Sequence, residues 1–175
     1  MKFLARRRTA FTPVAVAAIL ILGQPTWHSF ACGTGLVVLG QAFRIWAAGH
    51  IRKSAEITAS GPFACVRNPL YLGSFVVLLG YAVIGARPWV GVGAVAFFGV
   101  FHGAAIAYEE RYLTRVFGNV YLDYCKKTPR LIPRWPAGRR SERFSFRQVI
   151  SNREHKSILC AGTILLAFVA RIVLS

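Results

Sequence analysis

Five apolar stretches dominate this chain, and each is bounded by a helix breaker or by basic residues: Ala10–Gly23, Trp27–Ile51, Leu70–Ala86, Trp89–Tyr108 and Ser157–Leu174. About 20 apolar residues cross the hydrocarbon of a bilayer. Trp27–Ile51 is ample for that, Ala10–Gly23 is short, and Ser157–Leu174 suffices although Arg171 interrupts its end. Lipid offers the backbone no water, so each crossing segment must satisfy its own hydrogen bonds as a helix. Composition agrees: 55% of residues are hydrophobic, 16% are charged, and the mean hydropathy is +0.47. A soluble domain of this size is rarely so apolar. The expected fold is all-α, an integral membrane helical bundle of about five transmembrane helices, forming one domain over residues 1–175.

Charge predicts the orientation. The formal net charge is +16. All 22 lysines and arginines except Arg44, Arg87 and Arg171 lie in Met1–Thr9, Ile51–Leu70 or Glu109–Lys156. These three regions share one side of the membrane if each of the first four segments crosses once, and positive charge marks that side as cytosolic. The basic excess then suits anionic lipid at the tail 134–156 rather than nucleic acid. A basic start before a short apolar run also fits a secretory signal, but the next segment is again apolar, so cleavage would still leave a membrane protein. Arg44, inside the second segment, is expected to snorkel to the inner surface beside His50, Arg52 and Lys53. The other reading is a buried cation facing the bundle. Gly99-Val-Phe-His-Gly103, extended by Ala107, reads as a small-residue face for close helix packing. A second reading of it is a backbone surface for a flat ligand. Cys32, Cys65, Cys125 and Cys160 lack metal-type spacing and read as small hydrophobes.

Two polar landmarks interrupt this pattern. The first is Ser60–Gly73, S-G-P-F-A-C-V-R-N-P-L-Y-L-G. Gly61 and Pro62 stop an arriving helix. Asn68 precedes Pro69 and is biased toward extended backbone. Pro69 suits the first turn of the next helix. Free N–H groups at that helix start, beside Arg67, can take a carboxylate or phosphate. The plain alternative is a loop that turns the chain at the headgroups. The second landmark is Tyr108–Pro133, Y-E-E-R-Y-L-T-R-V-F-G-N-V-Y-L-D-Y-C-K-K-T-P-R-L-I-P. Glu109 to Tyr124 reads as an amphipathic helix continuing the fourth segment, with a possible break at Gly118-Asn119. The tight turn at Arg87-Pro88 joins the third and fourth segments on the far side. Their cytosolic ends are therefore neighbours, and Arg67, the helix start and the Glu109-Glu110 pair share one site. The plain alternative for the pair is a helix end in water, bridged to Arg111 or Arg115.

The two motifs together, in this order and separation, resemble the isoprenylcysteine carboxyl methyltransferase family, which is related to the phospholipid N-methyltransferases. The resemblance covers roughly Gly35 to Pro133. It implies an integral-membrane methyltransferase that uses S-adenosylmethionine on a lipophilic or lipidated acceptor. Ile57 and Thr58 match a stretch lining the cofactor pocket. Phe63 stands where the family usually has Tyr, so a ring is kept and a hydroxyl lost. Asn68-Pro69-Leu70-Tyr71 matches the family's H-P-x-Y, with Asn68 for His. Glu109 matches the cofactor-binding acid. Arg67, Glu110 and Arg130 are the candidates for contact with the reacting groups. Members acting on prenylated proteins carry an Arg where this chain has Ala105, which speaks against prenylcysteine as the acceptor. His102, seven residues before Glu109 and on roughly its face, is a candidate substrate contact or a packed core histidine.

Such an enzyme needs no covalent intermediate: it must align methyl and nucleophile and exclude water. Two other readings compete. Membrane sterol reductases share a related R-H-x-N-Y stretch and an F-G-x-x-Y-x-x-Y element and bind NADPH, but this chain has the Glu pair and has Leu70 where those show Asn. A non-enzymatic scaffold that binds anionic lipid would leave the Glu pair without a role.

Overall fold

A computed structural model of the chain describes residues 13–51, 57–135 and 144–174. Among these residues every regular element is helical. Helix α1 (Pro13–Leu22) is followed by α2 (Trp27–Ala48), the single turn α3 (Pro62–Cys65), α4 (Pro69–Ile84) and α5 (Pro88–Phe97). A π-helical turn (Phe98–His102) carries α5 directly into α6 (Gly103–Phe117). Then come α7 (Asn119–Lys127), α8 (Phe146–Ser151) and α9 (Glu154–Leu174).

Local sequence sets these boundaries. Thr26 caps α2 through a reciprocal pair with Ser29. Pro69 and Pro88 occupy first-turn positions of α4 and α5. Gly118, at φ +53°, separates α6 from α7 in a conformation that glycine adopts without penalty.

Five apolar helices are present, and three of them, α2, the continuous Pro88–Phe117 rod and α9, are long enough to cross a membrane. The 16 residues of α4 extend about 24 Å, short of a hydrocarbon core of about 30 Å. Five transmembrane helices were expected, and among the described residues three are long enough to cross, with two shorter apolar helices beside them. Bilayer-facing positions stay apolar and exposed, as at Val38, Leu39, Val92, Val100 and Leu166.

The core gathers side chains from five helices: Ile19 of α1, Val37 of α2, Tyr81 and Ile84 of α4, Val90 of α5 and Phe168 of α9. The most extensive packing joins α2 to α4. Glycines make it possible. A Cβ at Gly40 would sit 2.8 Å from the Gly73 carbonyl oxygen, and one at Gly80 would sit 2.7 Å from that of Gly33. The expected packing face on the fourth segment is overturned: a Cβ at Gly99 or Gly103 would meet nothing within 4 Å. A period of small residues marks a possible approach, and the partner helix here chose the α2–α4 glycines instead.

Arg44 also departs from expectation. It does not snorkel. Its Nη2 donates to Glu154 Oε1 at 2.8 Å and to Oε2 at 2.9 Å, and its Nε donates to Oε2 at 3.1 Å. Its Nη1 donates to the Leu70 carbonyl at 3.4 Å and to the Ser74 hydroxyl. Glu154 is buried, so a charge neutralised inside the bundle costs less than a single cation left in lipid. The partner escaped the sequence reading because 110 residues separate the pair.

The tail was expected to lie along the headgroups. Residues 136–143 of it are outside the described residues, and the segment after them is tied to the end of α2 at Ser145 and Asn152 while Phe146 and Ile150 stay exposed. The Ser145 N–H bonds the Gly49 carbonyl at 3.0 Å. Asn152 Nδ2 donates to the Ala48 carbonyl at 2.9 Å, closing the end of α2.

Candidate functional site

The first turn of α4 and the middle of α6 meet at one end of the bundle, as the hairpin topology requires. Glu110 is the hub. Its side chain is only 13% exposed, although it stands on a helix that continues past the apolar segment. Asn68 Nδ2 donates to its Oε1 at 3.0 Å. Arg130 donates to its Oε2 from Nε at 2.9 Å and from Nη2 at 2.6 Å. The Arg67 guanidinium lies 3.5 Å from Oε1. The plain alternative for this carboxylate, an exposed pair with Arg111 or Arg115, is excluded: both of those arginines are exposed, and Glu110 turns inward.

Main-chain bonds hold the connector against the break. The Arg67 N–H donates to the Pro129 carbonyl at 2.8 Å, and the Arg134 N–H donates to the Cys65 carbonyl at 2.9 Å. Asn68 Nδ2 also reaches the Arg130 carbonyl at 3.2 Å. The Tyr124 hydroxyl donates to the Phe63 carbonyl at 2.7 Å, so α7 covers α3. Burial pushes the Tyr124 phenol well above the ordinary tyrosine range, and it stays a neutral donor. The hydrogen bond to Glu110 pushes Arg130 further up and fixes it as a cation.

The other expected residues fall around this hub. Thr58 and Phe63 are buried, and Ile57 is half-buried beside them. Pro69 is buried in the first turn of α4, and the Leu70 carbonyl is held by Ser74 at 2.9 Å. Tyr71 lies edge-on to His102 with ring centroids 6.1 Å apart. Glu109 is half-buried and precedes the hub on α6. Ala105 is buried. One contact was missed. Arg67 Nη1 donates to Cys125 Sγ at 2.9 Å, so this thiol is a wall of the site rather than a generic small hydrophobe. Its only sequence signal is helical spacing, four residues after buried Tyr121.

Two features suit a bound anion. Asn68, at φ −121° and ψ 58°, lends no side-chain cap to α4, and its first-turn N–H groups therefore keep their capacity for a ligand. Arg67 Nε is buried and makes no hydrogen bond, an N–H donor suited to a carboxylate oxygen. Beside them lies an apolar cavity of about 390 Å³, walled by Leu72 and Phe75 of α4, Phe98 and Gly99 of the π turn, and Leu131 to Pro133 of the connector.

A helical bundle with an aliphatic exterior defines an integral membrane protein, and the buried carboxylate–guanidinium cluster beside an apolar cavity is its candidate site. The chain matches the phospholipid methyltransferase family over residues 14–120 and belongs to it. That family is one of methyltransferases. It is 29% identical to the nickel-cobalt-cadmium resistance protein NccN of Alcaligenes xylosoxydans xylosoxydans, across 75% of this chain and 67% of that one. It is 33% identical to the protein-S-isoprenylcysteine O-methyltransferase of Mus musculus, across 64% of this chain and 44% of that one. The Schizosaccharomyces pombe protein of the same name is 32% identical, across 67% of this chain and 48% of that one. The chain thus spans about two thirds of the metal-resistance relative and under half of these methyltransferases. No solved structure matches it. The sterol-reductase alternative finds no support in these matches.

Proposed function

We propose that this chain transfers a methyl group from S-adenosylmethionine to a lipophilic acceptor at the cytosolic face of a membrane. The observation that carries the reading is Glu110, buried and bonded to Asn68 and Arg130, which joins the two motifs in one cluster against an apolar cavity. S-Adenosylmethionine, when bound, supplies a methyl on a sulfonium. Arg67 and the first turn of α4 would hold its carboxylate, and the half-buried Glu109 would face its cationic or ribose groups. Arg130, fixed by Glu110, would close the connector over the site and exclude water. The apolar cavity would take the acceptor's hydrocarbon part. The basic segments support a cytosolic N-terminus and site, with anionic lipid at the tail.

Calorimetric titration of the detergent-purified protein with S-adenosylhomocysteine, with NADPH in parallel, tests this. Binding of the first alone is expected. Binding of NADPH alone, or of neither by a folded sample, refutes the reading.

A further inference from the structure

Glu154 opens the last helix, α9, and lies outside the residues that match the family. Its carboxylate is buried and accepts from Nε and Nη2 of Arg44. A buried pair of this kind is a weak source of net stability, and apolar residues of similar volume often replace it without loss. An ionisable group kept inside a membrane bundle is expensive and points to function. Glu154 leaves one arm of the guanidinium unused. That arm, Arg44 Nη1, crosses to α4 and donates to the Leu70 carbonyl at 3.4 Å and to the Ser74 hydroxyl. The Ser74 hydroxyl in turn donates to the same carbonyl at 2.9 Å. Gly73, the last residue of the first polar motif, makes room for the crossing: a Cβ there would sit 2.6 Å from Arg44 Cγ.

Leu70 is the second residue of α4, and the peptide unit that carries its carbonyl also carries an N–H of the first turn. A cation on the carbonyl side of a peptide polarises the N–H and strengthens it as a donor. Asn68, one residue before α4, is bonded to Glu110. One turn of helix is therefore gripped at two points, by Glu110 through Asn68 and by Glu154 through Arg44. We propose that Arg44, held by Glu154, is a positioning residue for the cofactor's carboxylate: it fixes and polarises the first turn of α4 without touching the ligand. Glu154 aims the guanidinium and keeps its charge from being stranded in the bundle. The last helix thereby takes part in the site although none of its side chains reaches the polar cluster around Glu110.

The inference rests on the methyltransferase reading, and the test separates the two. The proteins are the parent, the double variant Arg44→Met/Glu154→Leu, Arg44→Lys and Phe168→Leu. The double variant removes both charges together and strands neither. Arg44→Lys keeps a charge on Glu154, but one ammonium lacks the planar fork that also reaches α4. Phe168→Leu is the control: it loosens α9 where Phe168 stacks on Tyr81, about four turns beyond Glu154. Each protein is followed by unfolding in detergent, by hydrogen exchange of the α4 amides and by calorimetry with S-adenosylhomocysteine. If the folded parent does not bind, the methyltransferase reading falls and the inference falls with it. If the parent binds, the folded double variant should bind roughly tenfold more weakly or worse, with faster exchange confined to the first two turns of α4. Arg44→Lys should bind about three- to tenfold more weakly, and it decides the question if the double variant does not fold. Phe168→Leu should lose stability yet keep affinity within about twofold of the parent. Parent-like affinity in the folded double variant or in Arg44→Lys overturns the proposal. So does an equal loss of affinity in Phe168→Leu, which would make the effect one of general loosening.

Discussion

Replacing Glu110 by Gln tests whether this carboxylate organises the site. Gln keeps an oxygen for Asn68 Nδ2, so the 3.0 Å bond can survive. The two arginines lose their counter-charge. Arg130 is 49% exposed, and water screens it, so its bond contributes only about 0.2–1 kcal/mol. Arg67 is 17% exposed, and its partner lies in the same buried pocket. Leaving it without neutralisation costs about 1–3 kcal/mol. Together these amount to about 1–4 kcal/mol of stability. The same change frees Arg130 from the connector and lets the Arg67 fork turn, and a loss of about 1.4 kcal/mol in preorganisation lowers affinity tenfold. Thermal unfolding in detergent gives the first quantity, and S-adenosylhomocysteine titration gives the second. Arg111→Gln, on the exposed side of the same helix, should leave both unchanged. If Glu110→Gln unfolds within about 0.5 kcal/mol of the parent and binds as tightly, Glu110 is an ordinary helix residue and the site assignment fails.

Two further predictions concern the frame. Arg44→Met or Glu154→Leu alone should cost about 3–5 kcal/mol, because each strands a buried charge, whereas the double variant should lose much less than the sum; additive losses in detergent unfolding would refute the ion-pair reading. Gly80→Leu should destabilise by about 1–3 kcal/mol or prevent folding, since its Cβ meets backbone of α2, whereas Gly103→Ala, facing open space, should be tolerated, and equal behaviour of the two would contradict the packing described here.

Periodicity and breakers made the helices legible. Pro69, Pro88 and Gly118 mark their own boundaries, and the Arg87-Pro88 turn brings Asn68 to Glu110 by topology alone. Which glycines pack could not be read, because Gly99 and Gly103, four residues apart, mark a helix face as plainly as Gly33 and Gly40 or Gly73 and Gly80, seven apart. Spacing says that a backbone can be approached, and only the third dimension says which partner does so. Arg44 was misread for a related reason. Its nearest charges in sequence are basic and pull it toward the surface, while Glu154 is distant in sequence and adjacent in space. The same holds within the site: the resemblance pointed to Glu109 as the cofactor's acid, and the contacts of Glu110 with Arg67 and Arg130 depend on the connector folding back, which no local pattern encodes.

Helix α4 explains why the frame and the site are one problem. Its first turn presents Asn68 and Tyr71 to the site, yet the Leu70 carbonyl in that turn and Ser74 in the next are held by Arg44 of α2, itself paired with Glu154 of α9. Further along, Gly73 and Gly80 fix how close α4 lies to α2, and Phe75 meets Phe98 of the π turn at 4.6 Å. A shift of α4 by one methyl's width against α2 would therefore move Asn68 against Glu110 and Phe75 against the cavity wall together. Interiors packed at crystal-like density transmit such strain instead of absorbing it. The buried Arg44–Glu154 pair is a weak source of net stability by itself, and its value lies in fixing the register of three helices at the level where the polar cluster begins.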